Sequence, residues 1–199
     1  MTKLTNRQIQ AINTKNKIYC AAIKSFIDKG FNNVRIKDIT DIAGVSKGTF
    51  YTHFESKESI IYEYFDRIDN YYSNIYNNEI KNLDTSSDQL NLLTNAVTYF
   101  SSEVCGLEFL KIIYSNQLIE KIEQKLLINK QRAYYAIIEA ILTKGIKDGE
   151  FSINDLNKIT LLYCRYIHGL LYDWCLFNGN FNLIEEGKNT FPLFLKSIT

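Results

Sequence analysis

The stretch "AGVSKGTFYTHF", residues 43–54, combines side chains and spacings that suit contact with a polyanion. Ser46 is a strong helix N-cap, and Lys47, Gly48 and Thr49 would follow it as the first helical turn. Helix N-termini bind phosphate through free N–H groups and the helix dipole. Gly48 costs about 1 kcal/mol relative to alanine inside a helix, and close approach of the backbone to a partner would justify that cost. This turn therefore suits the floor and rim of a DNA major groove.

The residues after this turn divide into inward and outward positions. Phe50 and Phe54 are four residues apart and are expected to face a core, which leaves Tyr51 and His53 outward, where both can donate to phosphate oxygens. Lys57, at the start of the following helix, is placed for a further phosphate. A single tyrosine or histidine near a helix end is more often ordinary surface. The combined spacing is what predicts contact with DNA.

Two short predicted helices, Arg35–Ala43 and Ser46–His53, position these side chains. Gly44 between them supplies the positive φ that a tight turn needs, and Val45 is expected to fill the angle between the helices. Two helices joined by a short turn containing glycine, with the second presented outward, form a helix-turn-helix.

Apolar residues recur with helical spacing along the rest of the chain, and no alternation of period two persists. The sequence predicts an all-α fold, with a three-helix head at 1–55 on a larger helical body at 56–199. The predicted helices of the body cover 56–80, which connects head and body, a helix through Leu90 and Phe100, a short one near 107–115, and 117–147, 153–177 and 183–197. The helical phase breaks around Cys105 and Gly106.

Charge and composition narrow the function. The net charge is +1, but residues 1–60 carry ten Lys and Arg against five Asp and Glu, while residues 61–199 carry thirteen against seventeen. A basic head on an acidic body favours a polyanionic partner for the head. No apolar segment is long enough to span a bilayer, and the polar N-terminus lacks a signal core, so we expect a cytoplasmic protein without a membrane partner.

Four widely spaced cysteines indicate buried free thiols and neither disulfides nor a metal site. They are Cys20, Cys105, Cys164 and Cys175. No catalytic residue and no cofactor are expected, because the two histidines, His53 and His168, fall in different predicted regions and no phosphate-cradling glycine loop is present. His168 is expected to be a satisfied or surface histidine.

The predicted helix 153–177 is apolar on two faces, so both faces should be buried. One face would meet its own core, and the other would meet a second copy of the chain, with Gly169 allowing close approach. The alternative is a helix at the centre of a monomer's core. The residues predicted for the dimer interface, including two from the final helix, are Leu162, Tyr166, Gly169, Leu176, Phe191 and Leu195.

The segment "NVRIKDITDIAGVSKGTFYTHFESKESII" resembles the DNA-binding segment of the tetracycline-repressor (TetR) family of bacterial transcription regulators. The resemblance is strong over residues 10–65 and weaker over "KDGEF" and "HGLLYDWCLF". It implies that Lys37, Lys47 and Gly48 face bases, and that Thr49, Tyr51, His53 and Lys57 contact phosphates. Two positions depart from the family: Arg35 replaces a small hydroxyl residue and is expected to reach a phosphate instead, and Thr40 replaces an alanine.

The body carries many aromatic residues, some on helices that the resembled family packs around an effector cavity. As a group they predict a mostly apolar pocket with phenol groups as polar handles. Any one of them, taken alone, is more simply a core residue. The predicted pocket residues are Tyr72, Phe100, Tyr134, Tyr163 and Trp174.

These expectations combine into a homodimeric repressor that binds a palindromic double-stranded DNA operator and is released by a small hydrophobic or aromatic effector. The alternative is a DNA-binding dimer without an effector, acting architecturally or through another protein. A shift in the protein's melting temperature by small hydrophobic compounds would separate the two.

Overall fold

The computed structural model describes residues 4–152 and 155–199, apart from the side chain of Ile122. Within these residues the fold is all-α, as predicted, with nine α-helices and no strand. The helices are α1 (Asn6–Lys29), α2 (Ile36–Ala43), α3 (Lys47–His53), α4 (Ser59–Asn78), α5 (Ser86–Tyr99), α6 (Leu107–Ile119), α7 (Ala133–Lys147), α8 (Leu156–Leu176) and α9 (Leu183–Lys196). The chain forms two compact units that divide between Phe65 and Asp66, so α4 contributes to both.

The N-terminal unit is built from α1, α2, α3 and the first part of α4. Thr5 caps α1 by accepting from the backbone N–H of Gln8. The apolar faces of these helices pack into one core, because each presents residues at helical spacing. Its fully buried members include Ile18, Phe26, Ile39, Phe50 and Ile60. This core holds α2 and α3 in place.

In the C-terminal unit, α5 packs against α7 and α9, and α8 packs against α6, α7 and α9. The approach of α5 and α9 is close, because a Cβ added to Gly187 would lie 2.8 Å from Cγ2 of Thr98. Glu150, after α7, accepts hydrogen bonds from the backbone N–H groups of Ser86 and Ser87 at 2.7 and 3.0 Å. It therefore caps the N-terminus of α5 from 63 to 64 residues away in sequence.

One predicted helix is wrong. The segment 117–147 is not continuous, because α6 ends at Ile119 and α7 begins only at Ala133, with two 3₁₀ turns, Ile122–Gln124 and Leu126–Ile128, between them. Side chains satisfy the backbone of this connecting segment: Oε1 of Gln117 accepts from the N–H of Leu127, and the Tyr135 hydroxyl donates to its carbonyl. These tertiary hydrogen bonds replace the helical ones that apolar periodicity alone predicted.

The predicted phase break near Cys105 is confirmed. Residues Phe100–Cys105 form a π-helical turn, and Gly106 follows with φ +78°. The predicted helix 153–177 corresponds to α8, whose N-cap Asp155 accepts from the N–H of Lys158. Residues 153 and 154 lie outside the described residues. No helix in the described ranges is both long and apolar enough to cross a membrane.

Candidate DNA-binding surface and effector site

The turn between α2 and α3 has the geometry that the sequence predicts. Gly44 adopts φ +65° and ψ 38°, and its N–H donates to the carbonyl of Thr40. The Ser46 hydroxyl then accepts from the N–H of Thr49 at 3.0 Å, which fixes the start of α3. Each of these interactions is local, so the residues around the turn define its geometry.

The side chains of α3 divide as predicted. Phe50 is fully buried and Phe54 is 4% exposed, whereas Tyr51 is 48% exposed. The exposed Lys47 places Nζ 5.8 Å from the centre of the Tyr51 ring. His53, at the last position of α3, is half-buried. The outward side of α3 therefore carries a cation and a phenol.

Gly48 has no internal reason to be glycine. A Cβ added there would meet only the Ser46 hydroxyl oxygen, at an ordinary 3.7 Å, and its backbone conformation is one that any residue adopts. The Thr49 hydroxyl lies 2.9 Å from that of Ser46, so these two small groups are drawn in toward the helix start. The first turn of α3 thus presents bare backbone outward, which is what close approach by a partner requires.

Arg35 begins α2 as its N-cap, but a guanidinium cannot accept the usual capping hydrogen bond. Asp38 replaces that cap from the other direction, since its Oδ2 accepts from the N–H of Arg35 at 2.8 Å. Its Oδ1 accepts from Nζ of Lys29 at 2.6 Å, and this bond together with the Arg35 bond lowers the pKa of Asp38. Asp38 was missed from the sequence, although an acidic residue three positions after an N-cap is a recognised signal.

Lys37 extends from α2 and pairs with Asp41 one turn later, with Nζ and Oδ2 2.6 Å apart. This hydrogen bond and the carboxylate charge raise the pKa of Lys37, so the side chain stays charged. The side chains are 80% and 61% exposed, and water screens the pair. Lys37 can therefore exchange Asp41 for another anion.

Lys57, predicted to contact phosphate, is engaged within the N-terminal unit in this structure. Its Nζ donates to the carbonyls of Phe31, Val34 and Asn32, at 2.8, 3.3 and 3.4 Å, and lies 4.7 Å from the centre of the Phe31 ring. A lysine has three donors, and these carbonyls take all three. A phosphate contact would require them to break, so Lys57 holds the segment before α2 in place.

Four of the five predicted pocket residues lie together, but as packed rings. The ring centres of Tyr72 and Tyr134 are 5.2 Å apart, and those of Tyr72 and Phe100 are 6.2 Å apart, which are contact distances. Tyr163 is fully buried, with its hydroxyl 3.1 Å from that of Thr94. Burial raises the pKa of Tyr72, Tyr134 and Tyr163 well above the ordinary value, so all three are neutral phenols.

The Tyr134 hydroxyl is buried without a hydrogen-bond partner among the described residues. It lies near enough to Tyr163 to influence the pKa of that phenol, but the two do not meet the geometry of a hydrogen bond. Trp174, the fifth predicted residue, lies about 16 Å further along α8 than Tyr163. Its Nε1 donates to the Phe181 carbonyl at 3.1 Å, so Trp174 fastens the turn after α8.

The predicted interface residues do not share one surface. Phe191 is only 4% exposed and packs mainly within this chain's own core. Leu195 faces a groove shared with α5, and Gly169 faces α6. Tyr166 lies between α8 and α9, where its hydroxyl contacts the Gly187 carbonyl and the Thr190 hydroxyl. Leu162 is half-buried and Leu176 is 60% exposed.

A cavity of about 450 Å³ opens between α6, α8 and the connecting segment 120–132. Its lining is mainly apolar and aromatic, and consists of Tyr114, Gln117, Leu118, Lys125, Leu127, Ile128, His168, Gly169 and Tyr172. Burial, helped by the charge of Arg132, lowers the pKa of His168 to about 4, so the imidazole is neutral at pH 7. The sequence did not reveal this cavity, because one of its walls was predicted to be helix.

Comparisons with known proteins agree with this geometry. Residues 18–66 match the bacterial regulatory proteins of the tetR family, and residues 106–199 match the C-terminal region of QacR-like proteins. The chain is 25% identical to the HTH-type transcriptional regulator QacR of Staphylococcus aureus over 166 residues, which cover 80% of this chain and 85% of QacR. It is 24% identical to a fatty acid metabolism regulator protein of Bacillus subtilis over 185 residues, 92% of this chain and 94% of that protein.

The fold is also that of a solved regulator. FadR from Bacillus subtilis, in complex with stearoyl-CoA, superposes with a TM-score of 0.81 at 21% identity, over 92% of this chain and 99% of FadR. With a helix-turn-helix in the N-terminal unit and matches that cover both units, this chain belongs to the TetR family of bacterial transcriptional regulators, and it is a DNA-binding protein and not an enzyme.

Proposed function

We propose that this protein is a homodimeric repressor that binds a palindromic operator and leaves it when a small, mostly apolar effector binds the C-terminal unit. The observation that carries the proposal is the first turn of α3, where Gly48 exposes backbone for which the N-terminal unit itself has no use. Such a protein acts where the DNA is, in the cytoplasm.

In this proposal α3 reads the operator. Lys47 and Gly48 face base edges, because they stand at the exposed N-terminal end of the helix that enters the major groove. Ser46, Thr49, Tyr51 and His53 surround that end and contact the phosphates. Arg35 and Lys37 add contacts from the start of α2, where both are exposed. Lys57 supports these contacts only indirectly, through the segment before α2.

The dimer is proposed to form through α8 and α9. A groove between these helices is lined by Leu170, Phe177 and Phe181, and Phe177 is 61% exposed. Leu193, on the same side of α9, is 65% exposed. Paired copies of such a face bury their own apolar residues against each other, as a two-fold interface requires. Leu193→Glu is therefore expected to give monomers in sedimentation, whereas Ile119→Glu, an exposed apolar residue of α6, is the matched control.

The effector is proposed to act on α4, which belongs to both units. Arg132 forms two hydrogen bonds to Asp69 of α4, with Nη2–Oδ1 at 2.6 Å and Nε–Oδ2 at 3.1 Å, and a third to the Leu126 carbonyl at 3.3 Å. This links α4 to the segment that walls the cavity. A ligand that shifts this segment would pull on α4, and its differential affinity for two arrangements of α4 would set the response.

A hydrocarbon-chain effector is the first to test. The fatty acid metabolism regulator of Bacillus subtilis is similar to this chain over nearly its whole length, and the FadR structure contains stearoyl-CoA. That supports a long apolar ligand here without identifying it.

The test begins with selection of binding sites from a random duplex pool, followed by binding measurements on the recovered site. We expect a palindrome with half-site centres about 34–36 Å apart or a multiple of that spacing, bound by two chains, and a weaker complex when stearoyl-CoA is added. A non-repetitive site bound by one chain would contradict the dimer. An operator complex unchanged by apolar compounds would contradict the effector.

One observation favours a second candidate, a DNA-binding dimer without an effector. The predicted pocket residues Tyr72, Phe100 and Tyr134 have their rings packed against one another, as in an aromatic core. Under this alternative, no small compound raises the melting temperature of the protein, because nothing binds the native state preferentially.

A further inference from the structure

We propose that the cavity between α6 and α8 binds a single-chain amphiphile, with the hydrocarbon tail inside the cavity and one anionic head group at Lys125. This inference rests on the proposed function, because it names the chemical class and the place of the effector.

The apolar wall of the cavity supports a hydrocarbon tail as its occupant. Leu118 is 64% exposed and Ile128 is 49% exposed, and both line the cavity together with the rings of Tyr114 and Tyr172. Gly169 widens it on the α8 side, since a Cβ there would meet no atom within 4 Å. The volume of about 450 Å³ lies in the range of small-molecule pockets.

The charges of the lining residues support an anionic head group. Lys125 is the only charged side chain among the described lining residues, none of which is a carboxylate. Its Nζ makes a long contact of 3.4 Å with the Leu118 carbonyl, which a closer anionic oxygen would replace. Gln117 is committed to Leu127 and Asn116 through its amide group, and His168 is neutral at pH 7. An anionic head finds a partner here, and a cationic head finds none.

The first experiment compares four probes with the same ten-carbon chain, each below its micelle concentration. Decanoate and decyl phosphate should raise the melting temperature of the full-length protein, decanol should do so less, and decyltrimethylammonium should not. Lengthening the carboxylate should tighten binding by roughly three- to fourfold per added methylene until the cavity is full. If decanoate and decyl phosphate differ, the difference identifies which kind of head group fits. Equal effects of decanoate and decyltrimethylammonium, or no effect of any probe, would overturn the proposal.

The second experiment uses matched variants. Lys125→Gln should reduce decanoate binding to the level of decanol, whereas Lys121→Gln, an exposed lysine of the same segment outside the lining, should change nothing. Gly169→Trp should block all probes without disturbing the fold, because the added side chain enters open space. If Gly169→Trp instead alters sedimentation and leaves probe binding intact, a second copy of the chain covers this surface, and the proposal is wrong.

Measuring operator binding distinguishes a failure of this cavity site from a failure of the proposed repressor function. Decanoate that binds at Lys125 without weakening the operator complex would leave the site in place and remove its role as an effector site. Release by compounds that are indifferent to Lys125→Gln would leave the repressor in place and remove this site.

Discussion

The first turn of α3 and the aromatic cluster of the C-terminal unit contrast in how they use space. At Gly48 the structure leaves room for a side chain that is absent, on a surface with no internal partner. Around Tyr72, Phe100 and Tyr134 the rings are packed against one another at contact distance. The open region is formed by residues adjacent in sequence, whereas the filled region is formed by helices up to 62 residues apart. Aromatic content alone therefore does not predict a pocket, because the same residues line a cavity or fill it according to how distant helices pack.

The largest expected effect on stability concerns the ion pair between Arg132 and Asp69 in the C-terminal unit. Arg132→Met should destabilise the protein by about 3 kcal/mol, because it leaves the largely buried Asp69 carboxylate without its charged partner. The side chains of this pair are 9% and 16% exposed. The double variant with Asp69→Leu should recover most of the loss in denaturant unfolding. Lys37→Met, which breaks the exposed pair with Asp41, should leave the midpoint of denaturant unfolding unchanged. Equal losses of stability in Lys37→Met and Arg132→Met would contradict this difference between an exposed and a buried pair.

The Glu150 cap of α5 should show in the pH dependence of stability. Burial alone would raise the pKa of Glu150, but the bonds from Ser86 and Ser87 outweigh it and hold the pKa below its ordinary value. Since the folded pKa is below the unfolded one, the contribution is present above pH 4.5 and is lost as the pH falls through the folded pKa. Glu150→Gln should cost about 2 kcal/mol at pH 7 and little at pH 3. A loss independent of pH would show that the charge does not matter.

Variants of Lys57 and Lys47 should distinguish a structural role from a DNA contact in the N-terminal unit. Lys57→Gln should lower stability by about 1–2 kcal/mol, because three carbonyls lose a charged donor. It should leave the salt dependence of DNA binding unchanged. Lys47→Gln should do the reverse: stability stays, while specificity changes and the slope of log affinity against log salt falls by about one if the ammonium also meets phosphate. A reduced slope for Lys57→Gln would restore Lys57 to the phosphate contacts.

The two buried phenols give a smaller test of whether the aromatic cluster is closed. Tyr134→Phe should stabilise the protein by about 1 kcal/mol, because it removes a buried hydroxyl that has no partner among the described residues. Tyr163→Phe should destabilise it by about the same amount, because the buried hydrogen bond between the Tyr163 and Thr94 hydroxyls is lost. Thermal unfolding measures both. No gain from Tyr134→Phe would mean that water reaches this hydroxyl and that the cluster is open.

The smallest expected change in stability is at the open region. Gly48→Ala should raise the stability of the N-terminal unit by less than about 1 kcal/mol, because alanine favours the helix and meets no clash. The same change should weaken operator binding by roughly tenfold, since a methyl group then stands where the helix approaches DNA. Unchanged operator binding would show that α3 does not approach at Gly48.

The segments that the sequence predicted well are those whose structure depends on near neighbours. The turn at Gly44, the cap at Ser46 and the inward positions of Phe50 and Phe54 each depend on residues within about five positions, and all are observed. Helical periodicity likewise predicted the helices of the body, apart from the break between α6 and α7. Capping, turn conformation and amphipathicity depend on the types of neighbouring residues, so they can be predicted from the sequence.

Other features depend on contacts between residues far apart in sequence, and only the tertiary structure decided them. Lys57 donates to carbonyls 23 to 26 residues earlier. The segment 120–132 is held in its non-helical course by hydrogen bonds to Gln117 and Tyr135. Arg132, at its end, also bonds Asp69, 63 residues earlier. Phe191 is core because α9 packs on α5. In each case the side chain's partner was decided by segments that local residue patterns do not describe.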